Sequence, residues 1–254
     1  MQFHHHGYVS GDPRVQQASG TGIDRPDELP EYVDVLIVGT GPAGMMTAAQ
    51  LSQFPDVTTR IVERRTGRLA IGQADGIQAR SVETFQAFGF ADRITAEAYR
   101  ITEMAFWKPD PEDASKIVRT ARTPDDATGI SEFPHLIVNQ ARVLDYFAEV
   151  MALSPTRMKP DFGYEFCTLE VGEGDYPVTV TLEHTGGDHV GQKRTVHAKY
   201  VVGSDGARSA VRDTIGCKPV GDKAFHAWGV MDVLAVTDFP DIRLKCAIQS
   251  GSGG

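Results

Sequence analysis

The sequence predicts an α/β fold: a parallel-sheet domain interleaved with a second, mostly antiparallel β domain. Three observations carry this. The first is Tyr32–Gly44, YVDVLIVGTGPAG, an apolar run that ends in a glycine loop and leads into the helix-like MMTAAQLSQF. A short, nearly continuous apolar run suits a strand buried on both faces of a parallel sheet. The second is Thr58–Glu63, TTRIVE, a second such run that closes on an acid. The third is the period-2 patterning of TLEV, VTVTLEH and RTVHAKYVVG between Tyr164 and Val202, the signature of antiparallel strands.

The glycine loop carries the first chemistry. Gly39-Thr40-Gly41-Pro42-Ala43-Gly44 is G-x-G-x-x-G set between a strand and a helix, the Rossmann-like arrangement. Gly39 permits the tight turn, Gly41 lets a pyrophosphate approach the backbone, and Gly44 lets helix and strand pack closely. The helix N-terminus then offers free N–H groups and partial positive charge to phosphate. Pro42 suits an early helical position, where its missing N–H costs little. Glu63 follows Gly39 by 24 positions, near the ~20-residue offset at which an acid meets a ribose hydroxyl. Beyond it, Arg64, Arg65 and Arg68 form a basic cluster.

The other elements follow in order. Residues 1–30 are polar and rich in turn formers, and are expected to form an extended arm; its His4-His5-His6 reads as solvated, not metal-binding. Ile77–Phe88 has helical spacing with Arg80 in its first turn, and Asp75 is placed to cap it. Ile101–Lys108 and Lys116–Thr120 read as paired strands, and His135–Val138 as a further extended segment. Gln140–Leu153 is an amphipathic helix with Val143, Leu144, Phe147 and Val150 on its buried side. After Gly203–Ser209 comes a short helix, Ala210–Ile215, and then strand-like FHAWGVMDVLAV. The expected division is an arm at 1–30, a nucleotide-binding domain at 31–100 and 139–220, and a substrate domain at 101–138 and 221–254.

With 34 acidic against 25 basic residues the net charge is −9, which argues against nucleic acid or an anionic membrane surface as partner. No apolar run approaches the ~18–20 residues of a membrane span. The N-terminus lacks a signal-peptide core, so the cytoplasm is the expected setting. Cys167, Cys217 and Cys246 are too widely spaced for a zinc site or disulfide framework, and buried reduced thiols are expected. The strand-like IRLKCAIQS running into GSGG reads as a chain cut within a longer protein.

Two segments together, Gly39–Gly44 with Glu63 and the later GSDGARSAVR at Gly203–Arg212, resemble two fingerprints of the FAD-dependent aromatic hydroxylases of the 4-hydroxybenzoate hydroxylase type. GQADGIQARSVETFQAFGFADRI, FWKPDP and FPDIRLKCAIQS are similar to the branch that holds the phenol hydroxylases and 3-hydroxybenzoate 4-hydroxylases. The likeness implies a GR2-type FAD-binding domain and covers nearly the whole chain, while the family's third fingerprint is absent. It implies FAD as cofactor, with Gly39, Gly41, Pro42, Ala43, Gly44, Glu63, Arg64, Gln73, Arg80, Gln140, Asp205 and Gly206 as its contacts. NADPH and O2 are the implied co-substrates, acting through a flavin C4a-hydroperoxide, and a homodimer is the implied full-length assembly. It also implies that Asp75 holds the substrate hydroxyl and that His135 and Lys245 hold a substrate carboxylate, which favours 3-hydroxybenzoate over phenol. Full proton transfer from a phenol of pKa ~10 to an Asp of pKa ~4 is uphill by about 8 kcal/mol, so Asp75 is expected to act through a charge-assisted hydrogen bond. A catalytically inactive FAD- or nucleotide-binding fragment is the contrasting expectation.

Overall fold

The computed structural model describes residues 2–4, 7–9, 11–72, 74–222 and 227–251. In chain order the elements begin with β1 (Gln2–His4), β2 (Gly7–Val9), β3 (Tyr32–Val38), α1 (Pro42–Leu51) and β4 (Thr59–Glu63). There follow β5 (Gly76–Ile77), α2 (Ala79–Ala87), α3 (Ala91–Glu97), β6 (Tyr99–Ile101), β7 (Glu103–Pro109), β8 (Ile117–Pro124) and β9 (His135–Ile137). The remainder are α4 (Gln140–Leu153), β10 (Asp161–Phe162), β11 (Tyr164–Val171), β12 (Val178–His184), β13 (Lys193–Gly203), α5 (Ala210–Thr214) and β14 (Lys245–Ile248). The chain forms two compact units, residues 1–72 with 141–220 and residues 73–140 with 221–254.

The first unit is built on a six-stranded sheet in the order β10-β4-β3-β13-β12-β11. Its first four strands run parallel and its last two pair antiparallel. One strand serves both halves: Lys193–Ala198 of β13 pairs with β12, while its C-terminal half pairs with β3. All five residues of β4 are buried, as a parallel strand covered on both faces requires. Leu36, Val38, Val62, Phe166, Val180, Leu182, Val196 and Val211 form the core on one side, joined by Leu29.

Leu29 thus makes the preceding segment more than a surface arm. Arg60, 1% exposed as the second residue of β4, explains how it is held. Its guanidinium grips the Asp161 carboxylate of β10 through two hydrogen bonds, one of them from Nε at 2.8 Å. It also donates to the backbone carbonyls of Pro26 and Asp27. Arg25 lies alongside; burial, and then the charge of Arg60, lower its pKa to about 10.

The second unit holds two three-stranded sheets, β14-β7-β8 and β5-β9-β6. In the first, β14 runs parallel to β7 and β8 antiparallel; in the second, β9 pairs antiparallel with both neighbours. The helix expected from Ile77 starts at Ala79, because Ile77 is spent on the β5 ladder opposite Leu136. The strand expected at Ile101–Lys108 divides into β6 and β7, which belong to different sheets. These ladders place residues 73–100 in the second unit, whereas the sequence grouped them with the nucleotide-binding domain. Residues 227–236, read as strands, carry no regular element: Trp228, Val230, Leu234 and Val236 are all at least 88% exposed, and no described strand pairs with them. Phe225 and His226 lie outside the described residues. Cys167 and Cys217, expected to be buried, are exposed, on the edge strand β11 and after α5; Cys246 is half-buried.

Candidate functional site

In the first unit the two motifs meet at the C-terminal end of β3. Gly39 has φ +100°, and a Cβ there would stand 2.5 Å from the Ser204 carbonyl oxygen. Ser204 N–H donates to the Val38 carbonyl at 2.8 Å. The later fingerprint is therefore folded against the glycine loop. Gly44 is equally constrained, since a Cβ would lie 2.0 Å from the Gly39 carbonyl oxygen. Gly41 is different: nothing would stand nearer than 4.0 Å to its Cβ.

The helix behind this open position has no side-chain cap. Gly41 is the N-cap of α1, Pro42 follows at the first helical position, and no side chain accepts from the first turn. Pro42 and Ala43 are exposed. A helix end with orphan N–H groups beside open space is what a pyrophosphate needs, so the residues fit a dinucleotide.

Glu63 closes the other side of the loop. Its Oε2 accepts from Thr40 N–H at 3.0 Å, Thr40 Oγ1 at 2.6 Å and Arg65 Nη2 at 3.0 Å. Its Oε1 accepts from Arg65 N–H at 3.0 Å. Burial pushes this carboxyl up, but the bonds from Thr40 and Arg65 prevail and hold its pKa below the usual range. An ionised, anchored acceptor is thereby fixed at the end of β4, with acceptor capacity left on Oε1 for a sugar hydroxyl. Arg64 instead points outward, 74% exposed, with Glu165 at 3.8 Å. Arg68 pairs with Asp145 at 2.7 Å.

Asp205 is turned inward. Its Oδ1 accepts from Ser209 Oγ and its Oδ2 from Val211 N–H at 3.2 Å, while Ser209 caps α5 by accepting from Arg212 N–H at 3.0 Å. The carboxylate orders the turn that carries Gly206, which has φ +88° and is exposed.

The second unit contains a cavity of about 560 Å³ lined by Gly76, Tyr99, Ile101, His135, Leu244 and Lys245, among others. That size, with apolar walls and a few polar groups, suits one small molecule. His135 and Lys245, far apart in sequence, thus face the same space. His135 is 8% exposed, and its Nδ1 lies 2.9 Å from Asp125 Oδ2. Lys245 Nζ lies 3.7 Å from Asp125 Oδ1. The Lys245 segment is braced just before β14: buried Asp241 accepts from Trp107 Nε1 at 3.0 Å and pairs with Arg119 at 3.2 Å.

Asp75 is not part of that lining. Its Oδ1 accepts from Gln140 N–H at 3.1 Å, and the helix it was expected to cap, α2, has no side-chain cap. Arg80 is exposed in the first turn of α2. Gln73 lies outside the described residues. Sequence reasoning missed Thr40, Asp125, Asp241 and the Arg60–Asp161 pair. Only Arg60 left a signal, being a charge within a buried strand, where a partner is obligatory. Among the described residues, no group of side chains could hold a metal ion and no helix is long and apolar enough to cross a membrane.

Three comparisons bear on the site. The FAD-binding domain family matches residues 32–251. A 3-hydroxybenzoate 4-monooxygenase of Comamonas testosteroni is 53% identical over 255 residues, covering all of this chain and 40% of that protein. A phenol 2-monooxygenase of Aspergillus fumigatus is 30% identical across 88% of the chain and 36% of its own length. The crystal structure of the flavin-dependent monooxygenase PieE, solved with FAD and substrate, superposes with a TM-score of 0.61 at 28% identity, covering 75% of this chain and 32% of PieE. The chain spans about 40% or less of the length of these relatives.

Proposed function

Because this chain belongs to the FAD-binding domain family of flavin-dependent monooxygenases, we propose that it contributes the FAD-binding and part of the substrate-binding machinery of an aromatic hydroxylase. The reaction converts 3-hydroxybenzoate, O2, NADPH and a proton to 3,4-dihydroxybenzoate, NADP+ and water. The observation that carries this reading is the cavity faced by both His135 and Lys245. Three groups able to bear positive charge, His135, Arg243 and Lys245, line this one cavity and suit a benzoate carboxylate. The likeness to the Comamonas testosteroni enzyme supports the same choice.

When bound and reduced, FAD supplies the activation of O2 that no side chain can. This chain's own residues bind and orient. The orphan N–H groups of α1 and the open approach at Gly41 take the pyrophosphate, and Glu63, kept ionised by Thr40 and Arg65, takes a ribose hydroxyl. Arg64, Gln73, Arg80, Gln140 and Gly206 are proposed further FAD contacts, with Asp205 holding the turn of Gly206. Asp75 adjoins the cavity-lining Gly76; with one oxygen on Gln140 N–H, its other oxygen is proposed to take the substrate hydroxyl and to favour the electron-rich phenolate character that directs attack ortho to it. The cytoplasm and a homodimer remain the proposed setting, on the family resemblance.

A second reading, phenol 2-hydroxylation, is favoured by one observation: Lys245 already faces the Asp125 carboxylate, which offsets part of the charge a benzoate would use. Turnover decides between them. The full-length protein, yellow with bound FAD, is expected to oxidise NADPH faster with 3-hydroxybenzoate than with phenol and to release 3,4-dihydroxybenzoate. A colourless protein, or one that responds to neither substrate, sinks the proposal.

A further inference from the structure

Asp125 lies in a stretch rich in turn formers and belongs to no motif, yet its position is tightly determined. Pro124 is the last β8 residue on the β7 ladder, opposite Glu103, and Asp125 N–H extends the pairing by donating to the Thr102 carbonyl at 2.9 Å. Asp126 then turns the chain, its Oδ1 accepting from Thr128 N–H, Thr128 Oγ1 and Gly129 N–H. Between these two restraints the Asp125 side chain is 11% exposed. Its two oxygens are divided: Oδ2 meets His135 Nδ1 at 2.9 Å and Oδ1 faces Lys245 Nζ at 3.7 Å.

A carboxylate only accepts, so Nδ1 carries a proton, and Nε2 is the atom left to donate to a substrate carboxylate when the ring holds its second proton. The other nitrogen, Nε2, lies 3.6 Å from where a Cβ on Gly76 would stand, and both residues line the cavity. We infer that Asp125 is the positioning residue of this cavity: it fixes the His135 ring with Nδ1–H turned away and Nε2 presented, and it tethers the otherwise flexible Lys245 ammonium to the same wall. The inference rests on the reading of this cavity as the substrate site and deepens it, because carboxylate recognition then depends on a residue that itself takes no substrate contact.

Two readouts on the full-length holoenzyme test this. Long-range 1H–15N spectra, with His135 assigned by its loss in His135→Gln, are expected to show Nδ1 protonated. Asp125→Ala should lose that signature, and Asp125→Asn, whose amide oxygen still accepts, should keep it. A ring protonated at Nε2 and bare at Nδ1 in the unmodified protein overturns the inference. In turnover, Asp125→Ala is expected to raise KM for 3-hydroxybenzoate about tenfold, while KM for phenol moves less than threefold and kcat changes little. Asp125→Asn should recover most of the loss. Equal impairment with both substrates, or a KM unmoved in Asp125→Ala, overturns it. A wild-type protein that hydroxylates phenol but not 3-hydroxybenzoate would defeat the proposed function, and the imidazole spectrum would still decide the role of Asp125.

Discussion

Replacing Glu63 with Gln tests the nucleotide site at the group on which it depends most. The side chain keeps its shape and loses its charge. In the structure three donors converge on Oε2 and one, Arg65 N–H, on Oε1. The best amide orientation sets its oxygen toward Thr40 and the Arg65 guanidinium and so turns NH2 toward Arg65 N–H, donor against donor. One orphaned donor, with three bonds weakened from charged to neutral acceptor, is expected to cost about 2–4 kcal/mol of stability. At roughly 2–4 °C per kcal/mol for a domain of this size, Tm should fall by about 5–15 °C. The lost charge-assisted bond to the ribose should weaken FAD by a further factor of about 10–100. Thermal melts and fluorescence titration of the apoprotein with FAD measure the two effects separately. Unchanged Tm and unchanged FAD affinity would refute the reasoning; a lower Tm with full affinity would reduce Glu63 to a clamp on the loop.

Other outcomes follow from the same geometry. Arg60→Met leaves the buried Asp161 carboxylate unpaired and should cost about 3–5 kcal/mol in urea melts, with Asp161→Leu in the same chain recovering a large part. Gly44→Ala would drive a Cβ against the Gly39 carbonyl oxygen, a backbone atom, and should abolish tight FAD binding in the same titration. Lys245→Met should raise KM for 3-hydroxybenzoate tenfold or more and leave phenol turnover much less affected, as measured by NADPH oxidation. The carboxyls of Glu63, Asp34 and Asp145 are all held low: burial raises the first two but bonds from Thr40 and Arg65, and from Lys199 and Thr58, outweigh it, while Asp145 is lowered chiefly by Arg68. A carboxyl depressed in the folded state stabilises fully above its unfolded pKa of about 4 and loses that contribution as pH falls through the lower folded value. Urea melts should therefore weaken below about pH 4, and Glu63→Gln should flatten that acid limb.

Local chemistry made much of the first unit legible. The apolar run of β3, the three glycines and the acid closing β4 each specify a backbone event within a few residues, and the structure places all of them at one end of the sheet. Element boundaries were less accessible. Ile77 satisfies a helical period as well as a strand ladder, and only Leu136, distant in the chain, decides between them. The apolar alternation at 227–236 meets the pattern of a strand, but a strand exists only where another edge receives its hydrogen bonds.

Sequence alone determined that a dinucleotide-binding loop is present and which residue types surround it, because turn geometry, helix ends and strand burial are read over short range. It paired His135 and Lys245 only through a family resemblance. Tertiary structure decided what those side chains face. Asp125, a turn former by composition, becomes the anion between His135 and Lys245 because the β7–β8 ladder ends there and the β14 segment is braced beside it. Arg60 becomes tolerable in a buried strand because β10 brings Asp161 alongside. In both cases the partner is remote in sequence, and a charge acquires its meaning from the partner that folding delivers.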